Sequence, residues 1–172
     1  MTTKFKTILL DPPWNERGGG KIKRGADKHY ALLKTPDIIR VILQSEHWND
    51  IGDVAHMYMW ATNNHLEDAL HVMKSLGFRY VTNIVWVKNR IGLGQYARGK
   101  HELLLFGTKG AKHTVVKKDN NSLPSVIEAK RGAHSSKPEE SFIWIESRSF
   151  GPYLEMFSRK KREGWTVWGS EV

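Results

Sequence analysis

The sequence predicts an α/β protein with a mostly parallel central sheet and helices on both faces. Three observations point there. Short apolar, β-rich runs alternate with stretches of helical apolar spacing along the chain, the rhythm of strand and crossover helix that feeds a parallel sheet. The 172 residues, with ordinary apolar and charged fractions, suffice for one sizeable core, so a single domain over 1–172 is expected. Lastly, Asp11-Pro12-Pro13-Trp14 follows the first apolar run directly. That is the carboxyl end of a strand, where open α/β sheets bind their ligands.

Residues 4–10 are short, apolar and stopped by Pro12, which predicts a buried strand. Residues 36–48 carry Ile38, Ile39, Val41, Ile42 and Leu43 behind a proline suited to a first helical turn, and predict a helix. A second strand is expected over 54–61. From Asn64, read as an N-cap with Glu67 three residues on, Leu66, Ala69, Leu70, Met73 and Leu76 keep helical spacing as far as Gly77. Residues 80–87 and 102–107 are β-rich or continuously apolar and predict strands. A helix over 138–147 and closing strands over 153–157 and 165–168 complete the series. Residues 15–28 and 111–134 are polar, basic and glycine-bearing without clear period, and are expected to be loops.

The formal net charge is +9. It favours a polyanionic partner, with a merely solubilising surface as the alternative. Positive charge concentrates in 17–28, in 98–137 and in the run 159–162. Arg17, Lys21, Lys23, Arg24, Lys28, Arg98, Lys100, Lys117 and Lys118 are the candidate nucleic-acid contacts. With no cysteine there is neither a disulfide framework nor a thiolate metal site. Eight histidines without paired ligand spacing predict no metal centre. The absence of a long apolar run or a signal-peptide pattern predicts a cytoplasmic protein without membrane attachment.

The tetrad carries the chemistry. Two prolines fix φ and lack N–H, so the turn is stiff and its carbonyls are expected to be free acceptors. Asp11 adds a carboxylate and Trp14 a flat ring. Acceptors beside an aromatic surface suit a planar base bearing an exocyclic amino group. Trp60, Trp86, Trp144, Trp165 and Trp168 lie in apolar stretches and are expected to pack in the core. Glu102 opens a strand at the same end of the sheet.

With "LLDPPW", "HYALLKTPDI", "MYMWATNNHLEDALHVMKSLGFRYVTNIVWVK", "GLGQYARGKHELLLFGTKG", "HSSKPEE" and "YLEMFSRKKREGWTVWGSE" in this order, the chain resembles the MT-A-seventy (MT-A70-like) family of adenine-N6 methyltransferases. The resemblance implies a Rossmann-like methyltransferase sandwich with permuted motif order. It also implies S-adenosylmethionine as cofactor and transfer of its methyl group to the N6 amino group of adenine. Asp11, Pro12, Pro13 and Trp14 would be catalytic, with the amino group bonded to Asp11 and to the Pro12 carbonyl and with Trp14 against the base. Asp11, Pro13, Tyr30, Lys137, Glu155, Arg159, Ser170 and Glu171 would hold the cofactor, Lys137 at the methionine carboxylate and the Ser170-Glu171 pair at ribose hydroxyls or the adenine edge.

Many relatives have asparagine where Ser170 stands, and often a longer segment ahead of the tetrad strand that supplies cofactor contacts. Similarity to compact bacterial and phage members favours DNA as substrate. RNA adenosine methylation, or a non-catalytic nucleic-acid-binding subunit, are the alternatives, and relatives act as monomers or as homo- or heterodimers. A scaffold has no chemical use for an intact tetrad, and an enzyme for a small amine would leave the basic loops unexplained.

Overall fold

The computed structural model describes residues 4–15, 32–94, 96–110, 122–132 and 136–169. Among these, seven strands form one sheet: β1 Phe5–Leu10, β2 Ile51–Ala61, β3 Arg79–Lys88, β4 His101–Lys109, β5 Val126–Ala129, β6 Tyr153–Met156 and β7 Trp165–Trp168. The helices are α1 Thr35–Leu43, α2 Leu66–Ser75 and α3 Glu139–Arg148. The strand order is β5-β3-β4-β2-β1-β6-β7. Strand β4 runs antiparallel to both of its neighbours, and every other pairing is parallel. The mostly parallel α/β sandwich expected from the alternation of elements is therefore the observed fold.

Side chains alternate across the sheet with period two, and each face has its own core. Ile8 and Leu10 of β1 and Met57 and Met59 of β2 point to the face covered by α1 and α2, where Ile38, Ile42, Ala69, Val72 and Met73 are fully buried. Leu9, Tyr58, Trp60, Ile84, Trp86 and Leu104 point the other way and pack with Phe142 and Ile145 of α3. Trp60, Trp86 and Trp165 are buried as expected, with Trp144 and Trp168 packed against the edges of the two cores. Among the described residues no helix is long and apolar enough to cross a membrane.

Several expectations need correction. The chain after Thr62 first makes a 3-10 turn, Asn63–His65, and α2 begins at Leu66 without any side-chain cap, so Asn64 and Glu67 form no capping box. Glu67 and Asp68 instead place acidic groups against the positive end of the helix. Helix α1 stops at Leu43, because the next residues fold into turns and a second 3-10 segment, Trp48–Asp50. Strand β2 starts at Ile51, where it pairs with Phe5. Strand β5 lies inside a segment expected to be loop throughout: Val85 to Lys88 of β3 supply a parallel partner for its four residues. Strand β6 ends one residue early, since Phe157 adopts φ 64° and cannot continue a strand.

Candidate active site

Strands β1, β2, β3, β5, β6 and β7 all end on one edge of the sheet, and the reversed β4 starts there. Asp11 follows β1 directly and its N–H donates to the Met156 carbonyl at 3.3 Å, which ties the tetrad to the end of β6. Glu102 is the second residue of β4. Lys137 precedes α3 on the side of the sheet that α3 covers. The fold thus gathers residues from distant parts of the sequence.

The centre of this edge is a chain of charges. Lys137 Nζ lies 2.8 Å from Asp11 Oδ1 and 3.0 Å from Oδ2, and 3.6 Å from Glu102 Oε2. Lys88 Nζ reaches Glu102 Oε1 at 2.5 Å. Burial opposes ionisation of Glu102, but Lys137 and Lys88 outweigh it and hold the carboxyl below the usual carboxylate range. Lys137 also lies 5.5 Å from the Trp60 ring centroid. Glu155 on β6 behaves oppositely: burial pushes its carboxyl up and the Asp11 charge adds to this, against a hydrogen bond from Ser158 and the charges of Arg162 and Lys160. Two carboxyls of one site are driven in opposite directions, a separation typical of functional clusters.

The tetrad crosses the edge of the sheet. Asp11 meets Lys137 on the α3 side, whereas Trp14 belongs to the core under α1 and α2. Trp14 is 7% exposed, its ring stacks on His65 with centroids 5.5 Å apart, and its Nε1–H donates to the Trp60 carbonyl at 3.0 Å. It is an anchored wall. Beside it opens a cleft of about 460 Å³ lined by Trp14, Asn15, Thr35, Asn64, His65 and Asp68, among others. His65 Nδ1 pairs with Asp68, which also accepts from the Thr35 hydroxyl.

The expectation of free proline carbonyls is corrected. The Pro12 carbonyl accepts the Trp14 N–H at 2.9 Å and the Pro13 carbonyl accepts the Leu33 N–H at 2.9 Å. The prolines have no donor of their own, so the nearest N–H groups close the turn onto their oxygens; each oxygen keeps a second lone pair.

At the ends of β6 and β7 the backbones come into contact. A Cβ on Gly169 would lie 2.0 Å from the Ser158 carbonyl oxygen, and the Ser158 N–H donates to the Trp168 carbonyl at 3.1 Å. Phe157, with its positive φ, packs edge-on against Trp168. Arg162 clasps this loop to α3 through both carboxylate oxygens of Glu139 and a cation-π contact with Phe142.

Of the residues expected from the sequence, Asp11, Pro12, Pro13, Trp14, Lys137, Glu155 and Arg159 lie at this edge, and Arg98 and Lys100 stand exposed on the β3-β4 connection that leaves it. Tyr30, Ser170, Glu171, Arg17, Lys21, Lys23, Arg24, Lys28, Lys117 and Lys118 lie outside the described residues. Lys88 and His65 were missed. Lys88 ends a strand predicted one residue shorter, and nothing local to His65 signals that it meets Trp14, 51 positions away.

Known methyltransferases are similar to the chain along nearly its whole length. The chain is 27% identical over 98% of its length to the type II methyltransferase M.MunI of Mycoplasma sp, spanning 78% of that protein. It is 25% identical over 98% of its length to the human N(6)-adenosine-methyltransferase catalytic subunit METTL3, of which it spans 28%. An MT-A70-like N(6)-adenosine-methyltransferase of Arabidopsis thaliana is likewise 25% identical, with 24% of its length spanned. The MT-A70 family profile matches residues 5–171, a span that takes in the tetrad, the charge chain and the β6-β7 junction, and the chain belongs to the MT-A70 family.

Proposed function

We propose that the chain transfers a methyl group from S-adenosylmethionine to the N6 amino group of adenine in nucleic acid, with DNA as the favoured substrate. The carrying observation is the Asp11 carboxylate held by Lys137 at the carboxyl edge of the sheet, directly before two prolines and an anchored tryptophan.

The junction of β6 and β7 suits the cofactor. Gly169 lets the ends of β6 and β7 close on each other with no side chain between them, and the positive φ of Phe157 turns the chain sharply at the end of β6. Asp11, Pro13, Glu155 and Arg159 would border the bound cofactor, and Tyr30, Ser170 and Glu171 are proposed to complete the set. When bound, S-adenosylmethionine supplies an electrophilic methyl group.

The protein's own task is to position a weak nucleophile, because the N6 lone pair is delocalised into the adenine ring. Asp11 accepts one amino hydrogen and the second lone pair of the Pro12 carbonyl accepts the other, which favours a pyramidal nitrogen. Lys137 pairs with the Asp11 carboxylate and aims it, so Lys137 acts first on the catalytic carboxylate; a contact to the methionine carboxylate would have to share its ammonium. Positioning and electrostatics carry the rate. The methylated nitrogen is acidic and needs no strong base to lose its proton.

Resemblance to compact bacterial and phage members favours DNA over RNA, and the wide span of the type II methyltransferase match is in keeping with it. The test is transfer of isotopically labelled methyl groups to matched DNA and RNA, single- and double-stranded, with nucleoside mass spectrometry of the product. N6-methyladenine in one substrate, lost in Asp11→Ala, supports the reading. No product from wild-type protein that binds both cofactor and nucleic acid overturns it in favour of a non-catalytic subunit.

A further inference from the structure

Between β3 and β4 the connection over residues 89–100 reads NRIGLGQYARGK. Its backbone is tied to itself: Lys88 N–H donates to the Lys100 carbonyl at 2.8 Å, Gly92 N–H to the Gly99 carbonyl at 2.6 Å and Gly99 N–H to the Leu93 carbonyl at 3.1 Å. Arg98 Nε–H donates to the Gly92 carbonyl at 2.8 Å. A Cβ on Gly94 would lie 1.9 Å from the Ala97 carbonyl oxygen, so Gly94 and Ala97 approach with no room for a side chain at Gly94. These bonds give the hairpin a defined shape.

Its apolar side chains nevertheless stand in water. Ile91 is 63% exposed, Leu93 71%, and Tyr96 fully. Three large apolar groups on one tip, each more exposed than any other large apolar side chain among the described residues, are an unexplained cost. The surroundings say what covers them. Residues 89–100 contain Arg90, Arg98 and Lys100 and no acidic residue, so the partner carries negative charge beside apolar surface. The hairpin also stands on the site itself. Lys88 at its foot holds Glu102, Glu102 neighbours Lys137, and Lys137 holds Asp11.

We propose that this tip is a wedge: Leu93 and Tyr96 enter the base stack beside the target adenine and fill the space that the base leaves on turning out, while Arg90, Arg98 and Lys100 hold the neighbouring phosphates. The inference rests on the proposed nucleic-acid substrate. A base inside a duplex is out of reach of Asp11, and extruding it exposes the faces of its neighbours. An apolar or aromatic side chain slid between them restores the lost contact, and flanking cations give it sequence-independent grip.

The test compares wild-type protein with Leu93→Ala/Tyr96→Ala, which keeps every cation of the hairpin. Affinity is measured by fluorescence anisotropy for an intact DNA duplex and for the same duplex with one abasic gap. The wild type is expected to prefer the gapped duplex by about ten-fold, a preference lost in the double variant and kept by Tyr96→Phe. In transfer assays the variant should lose duplex activity while retaining single-strand activity within about two-fold.

Equal gap preference in the wild type and the double variant overturns the wedge. So does a wild-type dimer that Leu93→Asp converts to monomer in light scattering, which would assign the patch to a second copy. Absence of methyl transfer by the wild type counts against the proposed function instead, and the gap preference then still decides the wedge.

Discussion

Lys137 Nζ and Asp11 Oδ1 stand 2.8 Å apart, joining the start of α3 to the end of β1. The contact makes Lys137 a positioning residue for the carboxylate. Lys137→Met would remove the cation that joins Asp11 to Glu102. Methyl transfer should fall by about a hundred-fold or more. Because the pair is partly exposed, the loss of stability should be smaller than for a fully buried pair, about 2 kcal/mol in urea denaturation. Lys137→Arg should recover part of the activity, and near-wild-type turnover in Lys137→Met would remove Lys137 from the mechanism.

Asp11→Asn should behave differently. Lys137 keeps Glu102 at 3.6 Å, so removing the Asp11 charge leaves no orphaned ammonium. We expect loss of transfer by about a thousand-fold. Far-UV circular dichroism should be unchanged, and a collapsed fold would mean that Asp11 is needed for structure.

Gly169→Ala addresses the junction of β6 and β7. The added methyl would meet the Ser158 carbonyl oxygen at 2.0 Å, so the two strand ends must part. Affinity for S-adenosylmethionine, read by calorimetry, should drop about ten-fold, along with a destabilisation of about 1–3 kcal/mol. Unchanged affinity would place the cofactor elsewhere.

His56 predicts a pH dependence remote from the site. Its ring is buried between β2 and the end of α3, where the Ser149 hydroxyl bridges His56 Nδ1 at 2.6 Å and the Tyr58 hydroxyl at 2.7 Å. Burial, with help from the nearby Arg148 charge, lowers its pKa from 6.5 to about 4. Between those values the unfolded chain binds a proton that the folded chain does not, so stability falls as pH drops from about 6.5 toward 4, by about 3 kcal/mol over the window. Denaturation curves across that range should flatten in His56→Gln. An equal slope in both proteins would show that other groups set the acid sensitivity.

Much of the framework was legible because burial leaves a local mark. Phe5 to Leu10 read as a buried strand, and the helical spacing from Leu66 to Leu76 survives although its N-terminal signal at Asn64 does not. The reversal of β4 was not legible, since Leu103, Leu104, Leu105 and Phe106 are as apolar in one direction as in the other. Strand β5 offers only Val126 and Ile127 as β-formers and depends on its pairing with β3. Within the site, Asp11 and Trp14 announce themselves by their neighbours. Their separation to opposite faces of the sheet, and the meeting of Lys137 with Asp11 and Glu102, arise from packing between residues far apart in the chain.

The reversed strand has one more consequence. Because β4 enters the sheet from the active edge, the tip between Lys88 and His101 joins two site-bearing strands directly at that edge, and neither core passes through it. Residues can be added, removed or exchanged there while β3 and β4 keep their register. On the proposed reading the hairpin is an interchangeable cassette, through which the grip on nucleic acid can vary while Asp11 and Lys137 stay unaltered.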